Sequence, residues 1–124
     1  MLYTTYFGNL RQLPSSVAFV SIAGKAPDWF NGPEWYQYKK LAPKWSFFQE
    51  WKMNGDNSFY TKCFNDQVLS KLDANQVFQE LKQMTGCKDI ALICFEKPMD
   101  FCHRQLVADW FRENGIPIRE WNSY

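Results

Sequence analysis

Two short apolar runs limit the fold of this chain more than any other feature. Residues 89–95 (DIALICF) form the stronger run, and residues 17–23 (VAFVSIA) form the other. Runs of this length are typical of strands, and a strand without polar alternation is usually buried on both faces, as in a parallel sheet. Parallel strands need long crossover connections, which are usually helices. The two runs therefore predict an α/β fold.

The C-terminal part of the chain predicts a strand–helix–strand unit. Asp100 is a suitable N-cap for a helix that begins at Phe101, and Gly115 is suitable to end it. Residues 116–121 then form a last short strand, parallel to strand 89–95. With the strand at 17–23, this unit predicts a small sheet that has helices on both faces.

Three further elements follow from local patterns. Residues 2–7 are β-branched and aromatic and predict a strand. Apolar residues near helical spacing predict a helix within 58–72. Asp73 is a predicted N-cap for the next helix, with Gln76 at the capping-box position and Gly86 at the end.

Aromatic residues are concentrated in residues 26–60. The chain holds 11 Phe, 6 Tyr and 6 Trp, and nearly half of these rings fall in this segment. Prolines and a glycine interrupt it, and residues 34–41 and 44–52 predict short helices. We interpret the segment as an irregular, partly helical insertion with its own apolar cluster, within a single α/β domain that spans residues 1–124. Its rings either complete a small core or form one side of a ligand cleft.

The charge of the chain excludes one class of function and permits another. The net charge of +1 excludes a protein whose whole surface is basic. Residues 1–45 nevertheless carry five basic and two acidic residues, which allows a local basic patch. The chain has neither the basic start and apolar run of a signal peptide nor about 18 consecutive apolar residues. We therefore expect a cytoplasmic protein without a membrane partner, and leave its oligomeric state open.

Chemically reactive side chains are concentrated between residues 94 and 104. They are Cys94, Glu96, Cys102, His103 and Arg104. In an open parallel sheet, ligands bind at the carboxyl ends of the strands, where this segment lies. With Asp100 as N-cap, Cys102 and His103 occupy the second and third helical positions and point toward the sheet edge.

A helix N-terminus at this place favours an anion, and Arg104 adds a bidentate donor for it. Each residue also has a structural interpretation. Cys94 is suited to the core, His103 to a backbone hydrogen bond, and Glu96 with Arg104 to an ion pair. Their coincidence within eleven residues favours a functional site.

The spacing of the cysteines does not match a known metal-binding or redox motif. The chain has Cys63, Cys87, Cys94 and Cys102, without a C-x-x-C pair and without a secretory context for a disulfide framework. Cys102 and His103 would diverge by about 100° on a helix. With Cys94 they would supply only three ligands. We therefore expect no cofactor, with zinc as the less favoured alternative.

The segments ALICFEKP (91–98), FCHR (101–104) and LVADW (106–110) resemble a bacterial and phage family called "domain of unknown function 488". That family is marked by a strand ending in Cys-aromatic-Glu and a helix that opens with Cys-His-Arg. Shorter similarities cover residues 20–23, 41–43 and 59–73. The resemblance implies a Rossmann-like α/β fold and leaves the activity open. Many members carry an arginine soon after the second strand, where this chain has Lys25.

Binding of a phosphorylated nucleotide-like ligand, or of a nucleic-acid end, is the function that we predict for residues 94–104. The rings of the 26–60 segment would stack on a base, since aromatic side chains do so at about 1–3 kcal/mol per base. The predicted ligand-binding residues are Cys94, Arg104, Ser21, Lys25, Lys44 and Tyr60.

Two alternatives rest on the cysteines. In the first, the protein is a hydrolase or transferase acting on a nucleotide or modified base, with Cys102 as nucleophile, His103 as base or orienter, and Glu96 behind it. In the second, Cys94 and Cys102 form a thiol redox sensor. Cα atoms more than about 7 Å apart would exclude a bridge between them without backbone movement.

Overall fold

The central sheet has five strands, and all of them are parallel. They are β1 (Leu2–Tyr6), β2 (Val17–Ser21), β3 (Trp35–Gln37), β4 (Asp89–Cys94) and β5 (Ile118–Glu120). Their order across the sheet is β3-β2-β4-β1-β5. The computed structural model describes residues 1–30, 35–86, 88–95 and 102–121. The predicted α/β fold with a Rossmann-like parallel sheet is confirmed.

Four α-helices accompany this sheet in the described part of the chain. They are α1 (Trp45–Asn54), α2 (Asn57–Gln67), α3 (Ala74–Thr85) and α4 (His103–Glu113). The Asp73 carboxylate accepts a hydrogen bond from the Gln76 amide, and Gly86 ends α3 in a left-handed conformation. Both predicted ends of this helix are therefore confirmed. None of the helices in the described ranges is long and apolar enough to cross a membrane.

All four of these α-helices pack on one face of the sheet. Alternate strand residues such as Leu2 and Leu92 join helix residues such as Phe64 and Phe111 in one core. The other face, with Tyr3, Ala91 and Ile93, is covered by a short 3₁₀ helix at Phe7–Gln12 and by the chain after β2. Within the described residues this second face carries only that 3₁₀ helix, so the predicted α-helices on both faces are found on one face alone.

The aromatic segment does not form the separate insertion core that we predicted. The predicted helix at 34–41 is wrong from residue 35 onward: Trp35–Gln37 pairs with β2 as the edge strand β3, and a 3₁₀ turn follows at Lys39–Leu41. Residues 44–52 do form a helix, since α1 covers them. The rings divide between the two cores, with Phe47 and Tyr60 on the helix side and Phe30 on the other.

The last helix begins two residues later than predicted. Its N-cap is Cys102, which has an extended backbone (φ −151°, ψ 146°) and donates its amide hydrogen to Gln105 Oε1 at 3.0 Å. Cys102 is therefore outside the helix and His103 occupies the first helical position. The predicted N-cap, Asp100, and the predicted first residue, Phe101, lie outside the described residues.

Candidate functional site

The candidate site lies at the carboxyl ends of the neighbouring strands β2 and β4. From β2 the chain continues outward to β3, and from β4 it passes across β1 to β5. The first connection lies on the loop-covered face and the second, which contains α4, on the helical face. Because the two connections leave in opposite directions, a crevice opens between them. Open α/β sheets bind their ligands in such crevices.

The crevice is a cleft of about 640 Å³, a volume typical of small-molecule sites. Its floor is formed by Cys94, Cys102 and His103. One wall is α1, and the rim includes Lys25 after β2 and Lys39 after β3. The cleft therefore combines residues from three parts of the sequence that lie far apart in the chain.

Helix α1 presents an aromatic and basic face to the cleft. Trp45, Phe48 and Lys52 are spaced three and four residues apart, which places them on one side of a helix. Trp45 is 68% exposed, and its ring is stacked on Phe48 with the centroids 6.1 Å apart. The Lys52 ammonium lies 5.3 Å from the Phe48 ring centroid. An exposed ring of this size next to a cation provides a surface on which a flat ligand can stack.

The charges that line the cleft all have the same sign. Lys25, Lys39 and Lys52 contribute ammonium groups, and no carboxylate lines the cleft within the described ranges. A cleft lined by one sign of charge concentrates ligands of the opposite sign. The cleft is therefore suited to an anion, although the net charge of the chain is only +1.

The two cysteines of the floor meet across the junction between β4 and α4. Cys94 Sγ and Cys102 Sγ are joined at 2.08 Å, and both residues are buried. Their Cα atoms are 7.4 Å apart. Disulfides usually join cysteines whose Cα atoms are about 4.4–6.8 Å apart. Cysteines whose Cα atoms are more than about 7 Å apart normally form a bridge only if the backbone moves. The pair therefore has the contact that a redox role requires, at an unusually wide Cα separation.

The orientation of His103 is set by a backbone carbonyl. Its Nε2 lies 2.7 Å from the oxygen of Ile22, which can only accept, so Nε2 carries the hydrogen and donates it. Nδ1 then has a free lone pair, and this atom lies 3.8 Å from Cys102 Sγ. The pKa of His103 is lowered to about 4, chiefly by burial and also by the Arg104 cation, while the hydrogen bond to Ile22 acts in the opposite direction. His103 is therefore neutral at neutral pH.

The predicted divergence of Cys102 and His103 is wrong. The estimate of about 100° assumed two consecutive helical residues. Cys102 instead has the extended backbone of an N-cap, which turns its side chain toward the His103 ring. The two side chains consequently lie next to each other on the cleft floor.

Arg104 does not line the cleft, and the prediction that it receives an anion there is not supported by its position. It is fully buried, and its Nε donates to Glu120 Oε1 at 3.1 Å. Its NH1 group donates to Cys94 Sγ at 3.1 Å, and the guanidinium lies 5.9 Å from the Tyr6 ring centroid. Arg104 is the second residue of α4, and its side chain points over β1 and β5, away from the cleft. It contacts Cys94 on the side of the sulfur opposite the cleft.

The other predicted site residues have mixed positions. Lys25 and Tyr60 line the cleft. Ser21 is buried, and its hydroxyl accepts a hydrogen bond from the Ala23 amide at 3.3 Å. Lys44 is exposed directly before α1 and does not line the cleft, and Glu96 lies outside the described residues.

Two residues of the site region escaped the sequence prediction. Lys52 is recognisable only once Trp45 and Phe48 are placed on the same helix, since its spacing from them is helical. Glu120, the partner of Arg104, also accepts a hydrogen bond from the Thr4 hydroxyl at 2.7 Å. The pairing of β5 with β1 brings it there, and no local pattern in the sequence indicates that pairing.

A comparison with protein families gives one match. The model of a family described as the active DUF488-N3 subclade matches residues 8–115, which include the floor, the α1 wall and the rim of the cleft. No curated protein and no solved structure matches the chain.

Proposed function

This chain belongs to the DUF488-N3 family, and from that premise we propose that its cleft binds a phosphorylated, nucleotide-like ligand, either a free nucleotide or a nucleic-acid end. One observation carries the proposal: the stacked rings of Trp45 and Phe48 share a cleft of about 640 Å³ with three lysine ammonium groups. A nucleotide combines the two matching features, a flat base and an anionic phosphate.

Each part of the ligand has a place in this arrangement. The base stacks on the exposed Trp45 ring, a contact that contributes about 1–3 kcal/mol in other nucleic-acid sites. The phosphate lies between Lys25, Lys39 and Lys52. The N-terminus of α4 also faces the cleft through His103, so the positive end of its dipole adds to the attraction.

Equilibrium binding of AMP and of adenosine tests this proposal. We expect AMP to bind more tightly than adenosine, and Trp45→Ala to weaken both because the stacking surface is lost. Lys52→Ala should weaken AMP about fivefold, which corresponds to about 1 kcal/mol, and leave adenosine unchanged. Lys71→Ala, an exposed lysine away from the cleft, is the matched control. The proposal fails if the native protein binds neither compound, or if Trp45→Ala and Lys71→Ala bind alike.

A cysteine-dependent hydrolase or transferase is the second candidate. The observation that favours it is the free lone pair of His103 Nδ1 at 3.8 Å from Cys102 Sγ, with the Ile22 carbonyl holding the other ring nitrogen. In the reduced protein, the neutral Nδ1 is placed to act as a general base that takes the Cys102 proton while the sulfur attacks a substrate. The bond to Cys94 blocks this chemistry, so it requires the reducing conditions of the cytoplasm, where the sequence predicts this protein.

Alkylation of the reduced, metal-free protein tests the second candidate. Cys63 has a free thiol and serves as the internal reference. We expect iodoacetamide to modify Cys102 faster than Cys63 at neutral pH, because His103 Nδ1 takes the thiol proton as the sulfur attacks. His103→Gln should remove that difference. Equal rates for Cys102 and Cys63 in the native sequence would rule against a catalytic role for Cys102.

A further inference from the structure

We propose that Cys94, Cys102 and His103 hold a tetrahedral zinc ion when the two cysteines are reduced, with the fourth position of the metal open to the cleft. One ligand atom from each of these residues lies within 4.8 Å of the others, and all three residues are buried. Thiolate sulfur and imidazole nitrogen are ligands that zinc prefers. The metal site itself does not depend on the proposed nucleotide binding.

The distances suit a shared metal. Zinc binds sulfur at about 2.3 Å and imidazole nitrogen at about 2.0–2.1 Å, so ligand atoms around a tetrahedral ion are about 3.5–3.8 Å apart. Cys102 Sγ and His103 Nδ1 are already 3.8 Å apart. The Nδ1 lone pair is free because the hydrogen is on Nε2.

The cysteine backbones also fit a metal. Two sulfurs that share a zinc ion are about 3.8 Å apart, so their Cα atoms lie farther apart than those of a disulfide. The Cα atoms of Cys94 and Cys102 are 7.4 Å apart. Reduction of the pair therefore leaves two thiols on a backbone that is already wide enough to admit an ion between them, and the ion displaces their protons when it binds.

The groups that hydrogen-bond to the proposed ligands have the orientation that is usual around metal sites. Histidine ligands usually donate their second ring N–H to a carbonyl or carboxylate, which fixes the tautomer. His103 does this with Ile22 at 2.7 Å. Arg104 donates to Cys94 Sγ at 3.1 Å and brings a buried positive charge to the sulfur.

The arrangement leaves one coordination position without a protein ligand. Three protein ligands with an open fourth position are typical of catalytic zinc, whereas structural zinc usually has four protein ligands. Cys94, Cys102 and His103 line the floor of the cleft, so the open position faces the ligand. If the cleft binds a nucleotide as proposed, its phosphate or a water molecule is in reach of the metal.

Cobalt(II) is the probe for this site, because it replaces zinc and reports tetrahedral thiolate ligation by its absorption. Protein is reduced with a phosphine, freed of metal with a chelator, and titrated with cobalt in the absence of any nucleotide. We expect one equivalent to produce thiolate-to-cobalt charge transfer and intense tetrahedral d–d bands. Zinc should then abolish the bands by displacing the cobalt. Protein left oxidised should give no bands until it is reduced.

Matched serine variants locate the site. Cys94→Ser and Cys102→Ser should lose the cobalt spectrum, whereas Cys63→Ser should retain it; circular dichroism of each variant shows that it is folded. The proposal is overturned if the reduced native protein gives no tetrahedral cobalt bands, or if the folded Cys102→Ser variant keeps them. Titration of AMP into chelator-treated protein measures nucleotide binding separately, so the two proposals can fail independently.

Discussion

Arg104 is the residue whose role changes most between sequence and structure. It is the largest fully buried side chain, and it contacts Glu120 and Cys94 rather than the cleft. A buried cation is tolerated only with a partner of opposite charge, and removal of one partner leaves the other uncompensated. Arg104 therefore serves the fold and the position of Cys94, and the proposed binding of an anion rests on the lysines of the cleft.

Arg104→Met should consequently destabilise the protein. We expect a loss of about 3–5 kcal/mol in the free energy of unfolding, because Glu120 keeps its charge without the guanidinium. Urea denaturation measures this loss. Arg119→Met is the control, since Arg119 is exposed and its guanidinium lies 5.4 Å from the Tyr3 ring centroid; it should cost less than about 1 kcal/mol. Equal stability of the two variants would contradict a buried structural role for Arg104.

The elements show which parts of the fold a sequence can specify. Asp73 and Gly86 mark the ends of α3 because capping depends on the local backbone alone. The strand β3 was missed because its three residues contain no alternation, and only their pairing with β2 makes them a strand. The rule for strand ends predicts a cleft at the carboxyl end of β4, and a cleft lies there. The convergence of Cys102 and His103 was missed because it depends on where α4 begins.

The turn after β3 is tied to α3 by a polar contact. The Tyr38 hydroxyl donates to Glu80 Oε1 at 2.5 Å, and the Lys40 ammonium donates to the same oxygen at 3.1 Å. These two donors hold the pKa of the Glu80 carboxyl below its usual range, while burial and the carboxylate raise the pKa of Tyr38. A carboxyl whose pKa is lowered by folding contributes stability above its unfolded pKa, and this contribution is lost as the pH falls.

Tyr38→Phe tests this contact. The pKa of Glu80 should rise toward its usual value, so the variant is less stable than the native protein at pH 7. The difference between the two proteins should shrink as the pH falls through the carboxyl range, because protonated Glu80 no longer favours the native hydroxyl. Thermal unfolding at a series of pH values measures both effects. A difference that is constant with pH would show that Tyr38 acts through packing alone.

The topology of the whole sheet explains why a chain that is nearly neutral has a basic cleft. The sheet order sends the chain in opposite directions after β2 and β4, and the segments that leave bring Lys25 and Lys39 to the rim. The long connection from β3 to β4 contains α1 and brings Lys52 to the same cleft. The topology therefore gathers lysines that are dispersed in the sequence, and acidic residues balance them elsewhere on the surface.

Salt should separate the two contributions to nucleotide binding. Exposed charges are screened within about 8–10 Å at physiological ionic strength, whereas stacking is almost insensitive to salt. We therefore expect AMP to bind progressively more weakly as sodium chloride is raised, and adenosine to bind with nearly constant affinity. Isothermal titration calorimetry at several salt concentrations provides both curves. Parallel curves for the two compounds would contradict a role for the lysines.

The central claim is that the cleft between β2 and β4 is the ligand site. Photo-crosslinking tests this claim most directly. An azido derivative of AMP is irradiated with the native protein, and the labelled peptide is identified by mass spectrometry. We predict a label within residues 45–52, on the face of α1 that carries Trp45, and its loss when unlabelled AMP is in excess. A competable label on the separate apolar cavity lined by Phe7, Phe19 and Trp35 instead, or no competable label on the chain, would contradict the account.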